Sequence, residues 1–203
     1  MNIKEIPAFQ DVLQWTRDKG ESMAGELSLV LDRMGFDNKS ITQNGVVCTN
    51  VGDGPEIAAF SRLSPRVFIV SEPVTRSNSY TADEPIKEEV LNELIGGRAI
   101  TLVRGYPSKA FQEAARINAR PALVTNLNIL PGTLHYGFVE GAMEILAPEG
   151  LVLLSAGERY DGELMELANK HFPHNKSRLV VKSEMGIVGV SGSAFLGIFN
   201  API

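Results

Sequence analysis

The chain has 203 residues, with 19 Lys and Arg against 24 Asp and Glu for a net charge of −5, and 44% of it is apolar. That composition excludes low-complexity disorder, collagen-like repeats and strongly basic nucleic-acid tails, and the length suits one domain with a sizeable core. The acidic balance gives no long-range attraction to polyanions, so nucleic acid is not indicated as a partner, and a single cysteine, Cys48, excludes an intramolecular disulfide.

The opening stretch MNIKEIPAFQDVLQW carries charges and Pro7 and lacks the apolar core of a secretory signal. The longest apolar runs, such as Leu151-Val152-Leu153-Leu154, fall far short of the roughly 20 residues of a spanning helix. The expectation is a soluble, cytoplasmic protein with no membrane partner.

Residues 7–36 read as helical. A first helix carries Phe9, Val12, Leu13 and Trp15 on one face. A second, over 20–36, carries Leu27, Val30, Leu31 and Met34, with Gly35 as its stop. Residues 37–45 (DNKSITQNG) are polar and turn-rich and read as a connection.

From residue 46 the pattern changes. Apolar, β-branched runs at 45–51, 66–71, 98–103, 121–127 and 151–156 alternate with helical stretches at 56–63, 83–95, 108–119 and 134–146. Continuous apolar runs suit strands buried on both faces of a parallel sheet, and the alternation suits a doubly wound α/β fold. A helix over 160–172 then leads to strands at 177–183 and 194–202 with no helix between them, so these two should pair antiparallel. The expected fold is α/β and doubly wound. Its sheet is mostly parallel and seven-stranded, with an antiparallel last strand, and N-terminal helices precede it. The division expected is a helical segment over 1–44 packed on a core domain over 45–203.

The most informative segment runs from Val46 to Glu56: a buried strand, a Gly-x-Gly turn at Gly52-Asp53-Gly54, and a helix at once. Glycines allow a sharp turn and close approach of a ligand, and a helix start offers free N–H groups. A second strand ends in Glu72, eighteen residues after Gly54, which is one helix plus one strand. That spacing sets a carboxylate beside the glycine turn, where a nucleoside-binding α/β fold holds ribose hydroxyls. The alternative is an ordinary turn with a solvated Glu.

In order and spacing, residues 45–203 resemble the class I S-adenosylmethionine-dependent methyltransferases. Asn50-Val51-Gly52-Asp53-Gly54-Pro55 resembles the family's first motif, the loop under the methionine and ribose of the cofactor. Glu72 falls at its ribose-binding acid, and Gly105-Tyr106 at its adenine contact. Asn126-Leu127-Asn128-Ile129-Leu130-Pro131 resembles the end of strand four, facing the reacting methyl. Residues 147–153 resemble the turn before strand five, and 177–202 the reversed last strand. The resemblance implies S-adenosylmethionine as cofactor, held by Asn50, Gly52, Asp53, Gly54, Glu72, Tyr106 and Asn126, and methyl transfer to an unidentified, small-molecule or other, acceptor. Three positions depart from the pattern: Asn50 replaces an acid, Glu56 a third glycine, and Tyr106 an acid. They motivate the alternative of a non-catalytic subunit or binding module. A homo-oligomer is allowed by either reading.

Rival motifs fit less well. The dinucleotide fingerprint requires a glycine three after Gly54, where Ile57 stands. The Asn-Pro-Pro-Tyr type of motif for base amino groups is absent after strand four, as is a Pro-Cys nucleophile pair, and Cys48 reads as core. An aminopropyl transferase on the same fold would need more carboxylates than Asp53 and Asp161. His135 and Tyr136 follow strand four and are the candidate catalytic pair, with His135 able to act as a general base near neutral pH; the alternative is surface packing. His171 and His174 have a metal-like spacing, but Pro173 between them favours a helix end. The polar stretch 75–84 reads as a loop over the site or a long connection. The leading helices cover the site, pack on the sheet edge or form a dimer contact.

Overall fold

The computed structural model describes residues 7–49, 51, 54–63, 68–72, 84–96, 100–127, 136–182 and 193–200. Helix α1 (Pro7–Met34) is followed by α2 (Asn38–Asn44), β1 (Val46–Thr49), α3 (Pro55–Leu63), β2 (Phe68–Glu72), α4 (Glu84–Ile95), β3 (Ile100–Arg104), α5 (Pro107–Arg116) and β4 (Leu123–Asn126). Then come α6 (Tyr136–Ile145), β5 (Leu151–Gly157), a 3-10 turn (Glu158–Tyr160), α7 (Asp161–His171), β6 (Ser177–Lys182) and β7 (Ser193–Phe199).

The strands form one sheet in the order β3-β2-β1-β4-β5-β7-β6. Strands β1 to β5 pair parallel, whereas β7 runs antiparallel to both β5 and β6. The expectation of an α/β fold with a mixed sheet is met. Val46, Cys48, Leu123, Leu151, Leu153 and Phe195 share a core with α1, α3 and α4. Val47, Ile69, Val124, Val152, Leu154 and Leu196 share the other core with α5, α6 and α7. Alternate residues of each strand thus feed opposite layers, which is why β1, β4 and nearly all of β5 are buried along their length and mostly apolar. Strand β3 departs from this: it lies at the sheet edge, and its side chains are half-buried or exposed.

Two expectations for the N-terminal region are corrected. The two helices expected over 7–36 are one, 28 residues long. Its buried residues Phe9, Leu13, Thr16, Gly20, Met23, Leu27, Val30 and Met34 recur every three or four positions, with Leu31 buried beside Val30, an unbroken stripe. Gly20 reads as a break but serves a close approach: a Cβ there would lie 2.4 Å from the Ala58 Cβ and 2.9 Å from the Pro55 carbonyl oxygen. Trp15 is off the stripe and 38% exposed, not on the face of Phe9. The supposed connection over 37–45 contains α2. Asp37 caps it, accepting from Lys39 N at 2.9 Å, and Gly45 ends it at φ +83° while donating to the Ile41 carbonyl.

Among the described residues no helix is long and apolar enough to cross a membrane.

Candidate functional site at the strand carboxyl ends

The sheet order reverses between β1 and β4, and in open α/β sheets ligands bind at the carboxyl ends beside such a switch point. Thr49 of β1 and Asn126 of β4 are register partners at that point. Thr49 Oγ1 donates to the Thr125 carbonyl at 2.8 Å, tying the two strand ends together. Asn126 is 7% exposed, so a polar amide stands nearly enclosed at the mouth.

Gly54 closes the turn out of β1. Its N–H donates to the Val51 carbonyl at 2.9 Å, and its carbonyl accepts from Ile57 N at 2.9 Å, which starts α3. Its φ is +93°, and a Cβ would lie 2.9 Å from the Leu91 Cδ2, so both conformation and packing require glycine. Asn50, Gly52 and Asp53 lie outside the described residues, as does His135. Tyr136 opens α6 after that stretch. Most of the polar stretch 75–84 lies outside them too.

Glu72 ends β2, opposite Arg104 of β3. One step earlier Ser71 pairs with Thr49, so the end of β2 stands one residue past the end of β1. Arg104 forms an ion pair with Glu88 of α4. Beyond β3, Gly105 has φ +143°, and Tyr106 takes the N-cap position of α5 without a side-chain cap bond. Tyr106 is 68% exposed. The backbone thus brings Gly54, Glu72, Tyr106 and Asn126 to one edge of the sheet.

Behind this edge lies a buried polar cluster that sequence reasoning missed. Cys48 Sγ and Thr125 Oγ1 are 3.1 Å apart. Glu56, in the first turn of α3, is only 4% exposed. Burial pushes the Cys48 thiol well above its ordinary pKa; the Thr125 hydrogen bond opposes this and the Glu56 charge adds to it. Cys48 is core, as read, and its thiol is held neutral. The signal for the cluster was the matched polar positions of two neighbouring strands, visible only once their register is known.

His171 ends α7, beside the Phe172 ring at 6.5 Å, and His174 lies in the turn beyond. Among the described residues no group of three or more His, Cys, Asp or Glu could hold a metal.

No protein-family model matches the chain, and no curated protein sequence does. Solved structures do. An O-methyltransferase from Bacillus cereus, in complex with SAH, superposes with TM-score 0.56 at 11% identity, covering 96% of this chain and 91% of that one. A candidate SAM-dependent methyltransferase from Streptococcus mutans gives 0.54 at 13% identity over 75% of this chain, which spans only 44% of that protein's length. An rRNA methylase from Streptococcus thermophilus gives 0.51 at 10% identity, covering 81% and 94% of the two chains. The fold of this chain is that of the class I S-adenosylmethionine-dependent methyltransferases.

Proposed function

We propose that the chain is an S-adenosylmethionine-dependent methyltransferase with its cofactor across the carboxyl ends of β1, β2 and β4. The observation that carries this reading is a left-handed Gly54 in the turn out of β1 together with a nearly buried Asn126 at the end of β4, on the two strands that flank the switch point. A backbone at φ +93° where a Cβ would also lie 2.9 Å from Leu91, with a 7% exposed amide ending the neighbouring strand, fits a loop that a ligand approaches closely.

S-adenosylmethionine supplies a methyl group on an electrophilic sulfonium; the protein's part is to bind and orient. Asn50, Gly52, Asp53 and Gly54 are assigned to the loop beneath the cofactor, Glu72 to its ribose hydroxyls, Tyr106 to stacking on its base, and Asn126 to the methyl end. His135 and Tyr136 are assigned to the acceptor, with His135 taking its proton. Residues 1–44 act as a helical segment on the domain 45–203, in a cytoplasmic protein. The net charge of −5 favours a small-molecule acceptor over RNA. Glu56 departs from the glycine of the family pattern, but it is enclosed in the first turn of α3 near Cys48.

Calorimetric titration with S-adenosylhomocysteine tests the reading. Saturable micromolar binding is expected. Glu72→Ala should weaken it by about 10- to 150-fold, the equivalent of roughly 1.5–3 kcal/mol for hydrogen bonds to a charged group. Absence of binding to the wild type would put the non-catalytic reading in its place. Unchanged affinity in the variant would move the ligand away from Glu72.

A further inference from the structure

The opposite end of the sheet carries a second concavity. A cleft of about 610 Å3 opens beneath the start of β4 and β5, lined by the corner between α1 and α2, the turn before β5, the approach to β6 and the end of β7. Ala122, which lines the cleft, and Asn126, assigned to the methyl end, lie four residues apart along β4, about 13 Å at the rise of a strand. The two regions therefore lie at opposite ends of the parallel strands.

Charge in the cleft is arranged by the strand order. Lys176 and Arg178, two apart along the chain entering β6, project to one face. Glu149 stands in the turn before β5. Strand β7 lies between β5 and β6, so the cationic and anionic walls are two strand spacings apart, roughly 10 Å. No ion pair joins Lys176, Arg178 or Glu149 to another described residue. Between the walls, Phe199 ends β7, half-buried against the core, and Pro148 continues the apolar surface. Asp37 is also at the rim, but it already caps α2 through Lys39 N. The Arg178 Nη1 lies 3.2 Å from where a Gly35 Cβ would be, so the absence of a side chain at Gly35 makes room for the guanidinium.

We propose that this cleft is a second binding site, for a compact zwitterion with an apolar ring, in class an aromatic amino acid. Its carboxylate meets Arg178 and Lys176, its ammonium meets Glu149, and its ring lies on Phe199 and Pro148. A plain anion would be opposed by Glu149, and an uncharged ring would leave both charged walls unmatched. A ligand bearing both signs satisfies both.

The test is a calorimetric or NMR titration of the full chain with L-tryptophan, L-phenylalanine, indole and indole-3-acetate. At least one amino acid should bind saturably in the millimolar range or tighter, and better than either indole compound. Arg178→Gln and Glu149→Gln should each weaken that binding at least about threefold, the size of an exposed ion pair, with unchanged melting temperature. Prior saturation with S-adenosylhomocysteine should leave it unaltered. The proposal is overturned if neither amino acid saturates, if indole binds as well, if both variants bind normally, or if S-adenosylhomocysteine competes.

Discussion

At the scale of single residues, burial decides which groups are chemically available. Cys48 is fully enclosed and its thiol stays protonated well above the usual range. In the unfolded chain it ionises near 9, so at higher pH the folded state binds more protons than the unfolded one. Its contribution to stability is therefore complete below pH 9 and is lost progressively as pH rises above that, at up to about 1.4 kcal/mol per pH unit. Chemical denaturation at pH 8 and pH 10 should show a larger fall for the wild type than for Cys48→Ala; equal falls would mean the thiol is not held neutral. Glu149 makes a second case. It is a non-glycine residue at φ +62°, in the turn where Gly150 N donates to the Ala147 carbonyl at 2.9 Å. Glu149→Gly should raise stability by about 0.5–1 kcal/mol by relieving the left-handed backbone, less the entropy glycine returns to the unfolded chain; a lower denaturation midpoint would show that the side chain contributes more than its strain. Of this scale, the sequence disclosed the core role of Cys48 and the need for glycine at position 54. It did not disclose the Cys48–Thr125 contact, because residues 77 positions apart meet only through strand register.

At the scale of elements, α1 shows why punctuation residues mislead. Gly20 and Gly25 both lie inside one helix, and they do different things. A Cβ at Gly20 would collide with α3, whereas one at Gly25 would meet nothing within 4 Å. Gly25→Ala should therefore stabilise the protein by about 1 kcal/mol through helix propensity. Gly20→Val should destabilise it by about 1–3 kcal/mol through overpacking. Thermal melts of the two variants moving in the same direction would contradict this account of the α1–α3 contact. Propensity alone reads Gly20 as a boundary, since the partner it must approach is 38 residues away at Ala58. The short α2 was missed for the opposite reason: Asp37 and Gly45 are ordinary turn residues until the chain between them, with Ile41 buried, is seen to close a helical turn. Strand β3 has the composition of a buried strand and the position of an edge, and composition carries no information on strand order.

At the scale of the molecule, the α/β class and the mixed sheet were legible because the inner parallel strands, buried on two faces, are mostly apolar, and because β6 and β7 have no crossover between them. Chain order then carries Gly54, Glu72, Tyr106 and Asn126 to one edge without any long-range motif. The cleft at the other edge was not legible, since it is assembled from segments as distant as Asp37 and Asn200 that share no pattern. The central claim is that the carboxyl edge of the sheet is the cofactor site. Amide hydrogen exchange with and without S-adenosylhomocysteine tests it across the whole chain at once. Slower exchange is predicted in the turn and first helical turn at 51–58, at the end of β2 and at Asn126 and Leu127, with no change at 147–150 or 176–178. Unchanged exchange at the first group, or protection confined to the second, would contradict it.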